Sequence, residues 1–334
     1  MKRSVVCYGL SCCLCVTVSG LATGDDFPEL RGPYLGQNPP GTTPEVFAPG
    51  IVSTGHGERI AAFTPDGREL YFMLYGAPHG VVLLMQHQND RWTKPRVAPF
   101  SGRYNGEFTL SPDGETIVFS SNRPLVGGGE PLDTYYSWIM ERRGSGWGQP
   151  RAFGPHINAE GTYAGYPSIS STGDLYFFSD REGTVGADDI FVSRLLDGEY
   201  VAPENLGGSV NSEQDEVDPF IAPDGSYLVF SRRAKGSGNV DLFVSFREPS
   251  GTWTTARNLG EPVNSSASDY CPTVSPDGKY LFFASRRRLH GAYSPTPLTY
   301  EQKLSVLDSP GNGETDIYWV DASVIQRLRP VEPR

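Results

Sequence analysis

Cysteine is nearly absent from most of this 334-residue chain. Five cysteines occur in all, and four of them fall within the first 15 residues, which leaves Cys271 alone in the rest. A single cysteine cannot form an intramolecular disulfide, so a disulfide-stapled fold is excluded for the remainder of the chain. The fold must therefore be held together by its hydrophobic core.

Basic residues and catalytic motifs are also scarce. The chain has 28 Lys and Arg against 39 Asp and Glu, a net charge of −11, which disfavours nucleic acid and anionic lipid as partners. It lacks a G-x-S-x-G elbow, an H-E-x-x-H pair and a glycine-rich phosphate loop, and its five histidines show no metal-ligand spacing. We therefore expect no cofactor. Ca²⁺ stays open as an alternative at the acidic run NSEQDEVD, residues 211–218, because Ca²⁺ takes several oxygen ligands.

Long hydrophobic runs are limited to the N-terminus. An apolar stretch over residues 5–21 follows Lys2 and Arg3 and ends in small residues, which predicts a secretory signal peptide of residues 1–22. A lipid-attachment cysteine at Cys12 is the alternative. No later run reaches 18 apolar residues, so we expect a periplasmic or secreted protein with no integral membrane segment in the mature chain.

The abundant residues are glycine, proline and aromatics, and they recur in five related segments. The chain has 39 Gly, 28 Pro, 17 Tyr, 17 Phe and 5 Trp. A strand end, a tight turn and an alternating strand repeat roughly every 50 residues, a period that suits a propeller blade. The five copies read FTPDGRELYF, LSPDGETIVF, ISSTGDLYFF, IAPDGSYLVF and VSPDGKYLFF. Proline presets φ in these turns, Asp accepts backbone hydrogen bonds, and Gly takes the positive φ.

Each copy is followed by a third strand, and the first four also by a short fourth strand. The third strands read VVLLMQH, YYSWIME, DIFVSRL, DLFVSFR and DIYWVDA. The fifth copy lacks a fourth strand, and PEVFAPG at residues 44–50 supplies one from the N-terminal side. This count predicts an all-β, five-bladed β-propeller over residues 44–334, closed by pairing of the N-terminal strand with the last blade. Six blades are the alternative, and residues 23–43 form an extended segment.

The repeated S-P-D-G turn, the aromatic strand after it and the later Asp-Ile-Tyr pattern resemble the TolB-like family of WD-like β-propeller proteins. The resemblance covers residues 44–322. It implies a propeller fold. Members of the family serve as periplasmic protein-binding scaffolds, as sugar-related modules and as enzyme-associated domains, so the resemblance leaves the function open.

Charged residues recur on the propeller face opposite the Pro-Asp-Gly turns, where variable loops gather. Carboxylates stand at the start of the innermost strands, which line the channel, and arginines follow the second strands. The candidate ligand-binding or partner-binding residues are Glu58, Glu107, Glu216, Asp218, Asp269, Arg123, Arg181, Arg233 and Arg286. The alternative interpretation is structural: the arginines pair with the aspartates before the third strands or cap loops, and the carboxylates support loops.

The segment from residue 287 to residue 315 is the one long irregular loop. Thr299 and Gln302 form a capping-box pattern that predicts a short helix at residues 300–307. A long loop in a compact domain is often functional, so we expect a ligand or partner contact or a structural lid there. The leading hypothesis is an exported, monomeric, non-enzymatic propeller that binds a protein or glycan on its loop-rich face. The alternative is a carbohydrate-active enzyme that uses inward carboxylates such as Glu107 and Asp218.

Overall fold

A computed structural model describes residues 27–76, 80–102, 105–125, 129–233, 238–289 and 297–330. The predicted signal peptide and Cys12 lie outside these residues. In the described part of the chain, five small antiparallel sheets succeed one another around a ring. The protein is therefore a five-bladed β-propeller, which confirms the fold predicted from the repeats and removes the six-bladed alternative.

Each blade runs outward from an innermost strand through three further strands. The innermost strands of blades 1 to 5 are Glu58–Phe63, Asn105–Leu110, Gly165–Ile169, Glu216–Ile221 and Asp269–Val274. The second strands are Glu69–Leu74, Thr116–Ser121, Leu175–Ser179, Tyr227–Arg233 and Tyr280–Ser285. The third strands are Val81–Gln88, Tyr136–Arg143, Asp189–Ser193, Val240–Phe246 and Asp316–Asp321. The outermost strands are Arg96–Val97, Arg151–Ala152, Glu204–Asn205, Arg257–Asn258 and, in blade 5, Glu45–Val46.

Smaller elements decorate this ring. Short strands lengthen the outer hairpins of three blades at Arg91–Trp92, Gly146–Trp147, Leu195–Leu196 and Glu199–Tyr200. A 3₁₀ turn spans Pro33–Gly36, and α-helices span Tyr300–Leu307 and Ser323–Gln326. Both halves of the predicted capping box are present at Thr299 and Gln302, which confirms the first helix.

The Pro-Asp-Gly turns do the structural work that their residues predict. In blade 2 the Asp113 carboxylate accepts hydrogen bonds from the Ser111 hydroxyl at 2.5 Å and from the Glu115 amide at 2.9 Å. Gly114 follows with φ of 75°, a backbone conformation that strains any residue with a Cβ. These turns fix the register of the first and second strands and leave the opposite face of the ring for other roles.

The N-terminal strand closes the ring as predicted. Val46 lies opposite Tyr318 in an antiparallel pair, and the Phe47 amide donates to the Ile317 carbonyl at 2.8 Å. The Phe47 ring is fully buried, and it packs edge-on against Phe282 and Trp319. Closure therefore combines backbone pairing, which removes an open sheet edge, with apolar burial.

Hydrophobic side chains fill the spaces between neighbouring blades. At one such interface, Val118 and Ile139 of blade 2 pack against Phe177 and Phe191 of blade 3. Because each blade buries apolar surface against the next, the ring positions the innermost strands rigidly around the channel.

An asparagine side chain after each of three blades ties that blade to the segment that crosses to the next. The Asn264 side chain accepts from the Leu242 amide at 2.8 Å and donates to the Leu242 carbonyl at 2.9 Å. The same bidentate contact is made by Asn158 to Ser137 and by Asn211 to Ile190. The sequence signal is an Ile-Asn or Val-Asn pair at each crossing, and the sequence analysis missed it.

Candidate functional site

A cavity of about 600 Å³ opens at the channel mouth, on the face opposite the Pro-Asp-Gly turns. Its residues come from the starts of the innermost strands, the ends of the second strands and the loops beside them. Blade 2 contributes none of the described lining residues. The lining consists of Arg59, Tyr75, Tyr163, Phe178, Asp180, Asp188, Val217, Asp218, Arg233, Val240, Ser268, Tyr270 and Arg286.

A repeated β-bulge in the innermost strands forms the floor of this cavity. In blade 4 the strand register shifts between Val217 and Phe220, and Asp218 takes a φ of 53°. Cys271 occupies the same bulge position in blade 5, with φ of 52°. A bulge of this kind redirects one side chain and is common beside binding sites. The channel below the cavity is filled by these redirected side chains.

Contacts across the channel show how tightly it is filled. The Tyr166 hydroxyl of blade 3 donates to the Pro272 carbonyl of blade 5, although blade 4 separates the two. The Cys271 amide donates to the Asp218 carboxylate at 3.2 Å. Tyr166 and Cys271 are both almost fully buried, so Cys271 is a packing residue of an innermost strand.

An ion pair and a stacked ring stand on the blade 1 side of the floor. The Arg59 guanidinium pairs with the Glu107 carboxylate at 3.0 Å and lies 3.7 Å from the centre of the Tyr75 ring. Glu107 also accepts from the Ser120 hydroxyl at 3.1 Å. The Tyr75 side chain is 53% exposed, and it therefore presents a rigid aromatic surface to the cavity.

Asp218 is the buried carboxyl group of the floor. Burial raises its pKa to about 6, and the nearby Glu107 carboxylate adds to this shift. Removal of a carboxylate from water disfavours its charged form, which is the physical cause of the main effect. Asp218 is therefore partly protonated in mildly acidic solution.

Aspartates make one wall of the cavity acidic. Asp180 accepts from the Tyr163 amide at 2.7 Å, and Asp188, directly before the third strand of blade 3, lines the same wall. Burial raises the pKa of Asp188 to about 6, with further contributions from the charges of Asp215 and Asp180. Arg233 offsets part of this charge through its 3.2 Å ion pair with Asp215.

The facing side of the cavity, formed by blades 5 and 1, is basic and aromatic. The Arg286 guanidinium contacts the Thr315 hydroxyl at 3.4 Å, and in the described part of the chain it has no carboxylate partner. The Tyr270 hydroxyl is 2.8 Å from the same Thr315 oxygen. Across the cavity, Tyr163 stacks on Phe178 with ring centres 5.1 Å apart.

Three of the predicted carboxylates support loops instead of facing the cavity. Glu58, Glu216 and Asp269 are buried, and each accepts from the amide and the hydroxyl of the residue four positions earlier. Those partners are Thr54, Ser212 and Ser265. Burial raises the pKa of both Glu58 and Glu216. The structural interpretation that the sequence left open fits these three residues.

The predicted arginines divide into two groups. Arg181 donates to the His156 carbonyl at 2.9 Å and the Ile157 carbonyl at 2.6 Å, and Arg123 stacks over Phe119 and donates to the Ser121 hydroxyl. Arg181 therefore anchors the crossing between blades 2 and 3, and Arg123 packs against the second strand of its own blade. Arg233 and Arg286 instead line the cavity.

The anchoring positions in blades 4 and 5 belong to Arg232 and Arg287, which the sequence analysis passed over. Arg232 donates to Glu216 at 2.7 Å and to the Val210 carbonyl at 2.8 Å. Arg287 makes the matching contacts to Asp269 and Val263. The predicted arginine set therefore mixed two structural positions, because adjacent arginines look alike in sequence. The aspartates before the third strands cap loops, as when Asp189 accepts from the Val185 and Gly186 amides.

Among the cavity residues, Tyr75 and Asp180 were not predicted from the sequence. Each stands directly after the second strand of its blade, as Arg286 does in blade 5, while Arg233 is the last residue of that strand in blade 4. That shared position was the available signal, but the residue types there differ from blade to blade. A search for one recurring chemistry could not detect it.

The long fifth-blade loop lies beside the cavity. Asn312 donates to the Leu307 carbonyl at 2.7 Å and to the Gly55 carbonyl at 3.1 Å, which holds the end of the helix against the crossing between blades 5 and 1. No described residue between 297 and 314 lines the cavity.

The described ranges contain no group of three or more His, Cys, Asp or Glu side chains placed to hold a metal ion. Within residues 211–218, Asn211 and Glu216 are engaged in the structural contacts given above. No helix in the described part of the chain is long and apolar enough to cross a membrane.

Comparison with known proteins gives likeness of fold only. No family model and no curated protein matches the chain. Among solved structures it is similar to an α-L-arabinofuranosidase from Lactobacillus brevis, with 12% identity, a TM-score of 0.48, and coverage of 80% of this chain and 91% of that one. A protein from Agrobacterium tumefaciens assigned to TolB gives 16% identity, a TM-score of 0.47, and coverage of 82% and 91%.

TolB from Acinetobacter baumannii is also similar, at 18% identity and a TM-score of 0.46. The likeness covers 69% of this chain but only 49% of that one, so this chain spans about half the length of that TolB. The propeller fold that the TolB-like resemblance of the repeats implies is confirmed by the five blades of the structure. A propeller fold is compatible with many functions, so function has to be argued from the cavity itself.

Proposed function

We propose that this protein is an exported, non-enzymatic propeller that binds a glycan in the cavity at its channel mouth. The observation that carries the proposal is the combination of aromatic and charged side chains around about 600 Å³ of concave space. That volume is typical of small-molecule sites, whereas protein partners usually cover a larger and flatter surface. Of the two partner classes predicted from sequence, the glycan fits better.

The lining supplies both kinds of contact that a sugar uses. The exposed ring of Tyr75 and the partly exposed rings of Tyr163 and Tyr270 offer apolar surfaces for the C–H faces of a pyranose. Asp180 and Asp188 offer acceptors for hydroxyl groups, and Arg286 offers donors. The ring of blades holds these groups in place before the ligand arrives, which lowers the entropic cost of binding.

A calorimetric titration with a panel of oligosaccharides tests the proposal. We expect wild-type protein to bind at least one of them, and Tyr75→Ala to weaken that binding about tenfold by removal of one stacking surface. The Tyr75 side chain is largely exposed, so the variant should fold normally.

Tyr300→Ala is the matched comparison. Tyr300 is an exposed tyrosine, 73% accessible, on the helix of the fifth-blade loop, and it does not line the cavity. Unchanged oligosaccharide affinity in this variant supports binding in the cavity. If Tyr300→Ala loses binding and Tyr75→Ala keeps it, the ligand sits on the loop and the proposal is wrong.

Export and monomeric state belong to the same proposal. They rest on the sequence pattern of residues 1–22 and on closure of the ring by the chain's own N-terminal strand. N-terminal sequencing of the exported protein should begin near residue 23. Size-exclusion chromatography with light scattering should give the mass of one chain, and a dimer would contradict that part.

One observation favours a second candidate, a glycoside hydrolase. Two cavity carboxyl groups, Asp188 and Asp218, have pKa values raised to about 6, and such groups can donate or accept protons near neutral pH. Glu107, the other carboxylate predicted for this role, is engaged by Arg59. Release of reducing ends by wild-type protein, abolished in Asp188→Asn and in Asp218→Asn, would establish hydrolysis. Binding without any release of reducing ends would exclude this candidate.

A further inference from the structure

The charged groups of the cavity are separated by sign across its width. Arg286 of blade 5 and Arg59 of blade 1 stand on adjacent blades, while Asp180 and Asp188 stand on blade 3. Between them, on blade 4, Arg233 is already paired with Asp215. Arg59 is likewise paired with Glu107. Among the described residues, Arg286 is thus the cavity arginine without a carboxylate partner.

Arg286 is also held in a fixed position. Its backbone amide donates to the Ser268 carbonyl at 3.0 Å, and its Nε contacts the Thr315 hydroxyl at 3.4 Å. The two terminal nitrogens of this guanidinium have no hydrogen-bond partner among the described residues. A guanidinium presents parallel N–H donors that match the two oxygens of a carboxylate.

Given the proposed function, we propose that the glycan is acidic and that a uronate carboxylate binds Arg286, with the sugar hydroxyls directed toward Asp180 and Asp188. The aromatic rings of Tyr75 and Tyr270 flank the Arg286 side of the cavity and pack against the sugar ring. The separation of charge orients the ligand, because a carboxylate placed at the blade 3 wall would face two aspartates.

This assignment separates uronates from two other sugar classes. A neutral sugar leaves the Arg286 guanidinium without an ionic partner. An amino sugar places its ammonium group well at the blade 3 wall but adds nothing at Arg286. Only a sugar with both an anionic group and free hydroxyls uses the two sides of the cavity together.

Calorimetric titration of the purified protein with trisaccharides tests the inference. The probes are the trimers of galacturonic acid and of mannuronic acid, the same trimers with their carboxyl groups reduced to hydroxymethyl groups, and the trimer of glucosamine. We expect at least one uronate trimer to bind about tenfold more tightly than its reduced counterpart, as suits one charge-assisted bidentate contact. That advantage should shrink as sodium chloride is raised, because salt screens an exposed ion pair.

Arg286→Gln should abolish the tenfold preference by weakening the binding of the uronate trimer, because the amide carries no charge to pair with the carboxylate. Arg286→Lys should retain part of the preference, because lysine keeps the positive charge but lacks the parallel N–H donors of the guanidinium. Arg143→Gln is the matched control. Arg143 is exposed and lies outside the cavity, so this variant should keep the full preference.

Equal binding of uronate and reduced trimers would overturn the inference and leave glycan binding intact. If the glucosamine trimer binds more tightly than the uronate trimers, the inference is also overturned while glycan binding stands, and the aspartates of the blade 3 wall recognise the ligand. If no trisaccharide binds, the proposed function and the inference fail together. If Arg286→Gln keeps the preference, another cationic group reads the carboxylate and the assignment of Arg286 is wrong.

Discussion

At the scale of single residues, neighbours in sequence have unrelated roles in this propeller. Arg286 lines the cavity, whereas Arg287 lies over the Phe283 and Tyr318 rings and neutralises the buried Asp269 carboxylate. The same division separates Arg233 from Arg232. A sequence pattern shows where arginines cluster after a strand, but which of two adjacent side chains turns inward depends on strand register.

Replacement of Arg287 and replacement of Arg286 should therefore change the free energy of unfolding by very different amounts. Arg287→Ala leaves Asp269 buried without its cation, and we expect the free energy of unfolding to fall by about 3–5 kcal/mol. Arg286→Ala should change the free energy of unfolding by less than about 0.5 kcal/mol, as is usual for an exposed residue. Urea unfolding of both variants measures the difference. Equal stabilities would show that the anchoring role is assigned to the wrong arginine.

Asp316 gives a pH-dependent prediction. It is fully buried, one carboxylate oxygen accepts from the Gly311 amide at 2.7 Å, and the other has no partner among the described residues. Burial raises its pKa to about 7, above the value of about 3.9 in an unfolded chain. The folded state therefore binds this proton more tightly. The resulting contribution to stability is complete below about pH 4 and is lost as the pH rises toward 7.

Asp316→Asn should accordingly stabilise the protein at pH 8, by about 1–2 kcal/mol, and give no advantage at pH 4. The amide oxygen can still accept from Gly311. Thermal unfolding at the two pH values checks this, with the exposed Asp308→Asn as the comparison variant. A stability difference that is the same at pH 4 and pH 8 would contradict the assignment.

At the scale of elements, the strand that closes the ring carries a large share of local stability. Phe47 is completely buried among aromatic rings from blades 1 and 5, while Glu45 two residues earlier is exposed. The N-terminal segment adds further contacts, since the Trp92 indole donates to the Gly32 carbonyl at 2.8 Å and the Tyr34 hydroxyl donates to Asp277 at 3.0 Å. The closing strand and the N-terminal segment together hold blade 1 against blade 5.

Phe47→Ala should cost about 3–5 kcal/mol, because it removes a large buried ring and leaves a cavity at the closure. Glu45→Ala, on the same strand, should cost less than about 0.5 kcal/mol. Chemical unfolding of the two variants measures both effects. Similar losses in both would mean that backbone pairing alone, without burial of Phe47, provides the closure.

The elements themselves were largely predictable from the sequence. The turns recur with the same chemistry in four of five blades, the second strands are short apolar runs bounded by turns, and Thr299 with Gln302 marks a helix start. These are local signals, and local signals fix turns and strands. The bulge at Asp218 and Cys271 left no such signal, because it arises from packing of the innermost strands around the channel.

At the scale of the whole molecule, the sequence could predict a face of the ring for the site but not the set of residues that line the cavity. The repeated turn chemistry on one face and the variable loops on the other predicted a site on the face where the cavity lies. Of the nine candidate residues, Asp218, Arg233 and Arg286 line the cavity, and Glu107 supports its floor through Arg59. The other five are not among the described lining residues. Glu58, Glu216 and Asp269 accept from residues four positions earlier, Arg181 donates to the crossing before its blade, and Arg123 packs on its own second strand.

At this scale, the net negative charge of the chain differs from the local distribution of charge in the cavity. The net charge of −11 is spread over the molecule, but within the cavity the acidic groups are confined to blades 3 and 4 while blades 5 and 1 present arginine. A whole-chain charge therefore says little about the ligand. The local separation of charge says more, because the ligand meets only the side chains of the cavity.

The central claim is that the cavity at the channel mouth holds a glycan ligand. A crystal structure of the protein with a bound uronate trisaccharide tests it most directly. We predict a sugar ring packed against Tyr75 or Tyr270, with its carboxylate within hydrogen-bonding distance of the Arg286 guanidinium. A ligand found on the helix Tyr300–Leu307 or elsewhere on the surface, with the cavity empty, would contradict the account.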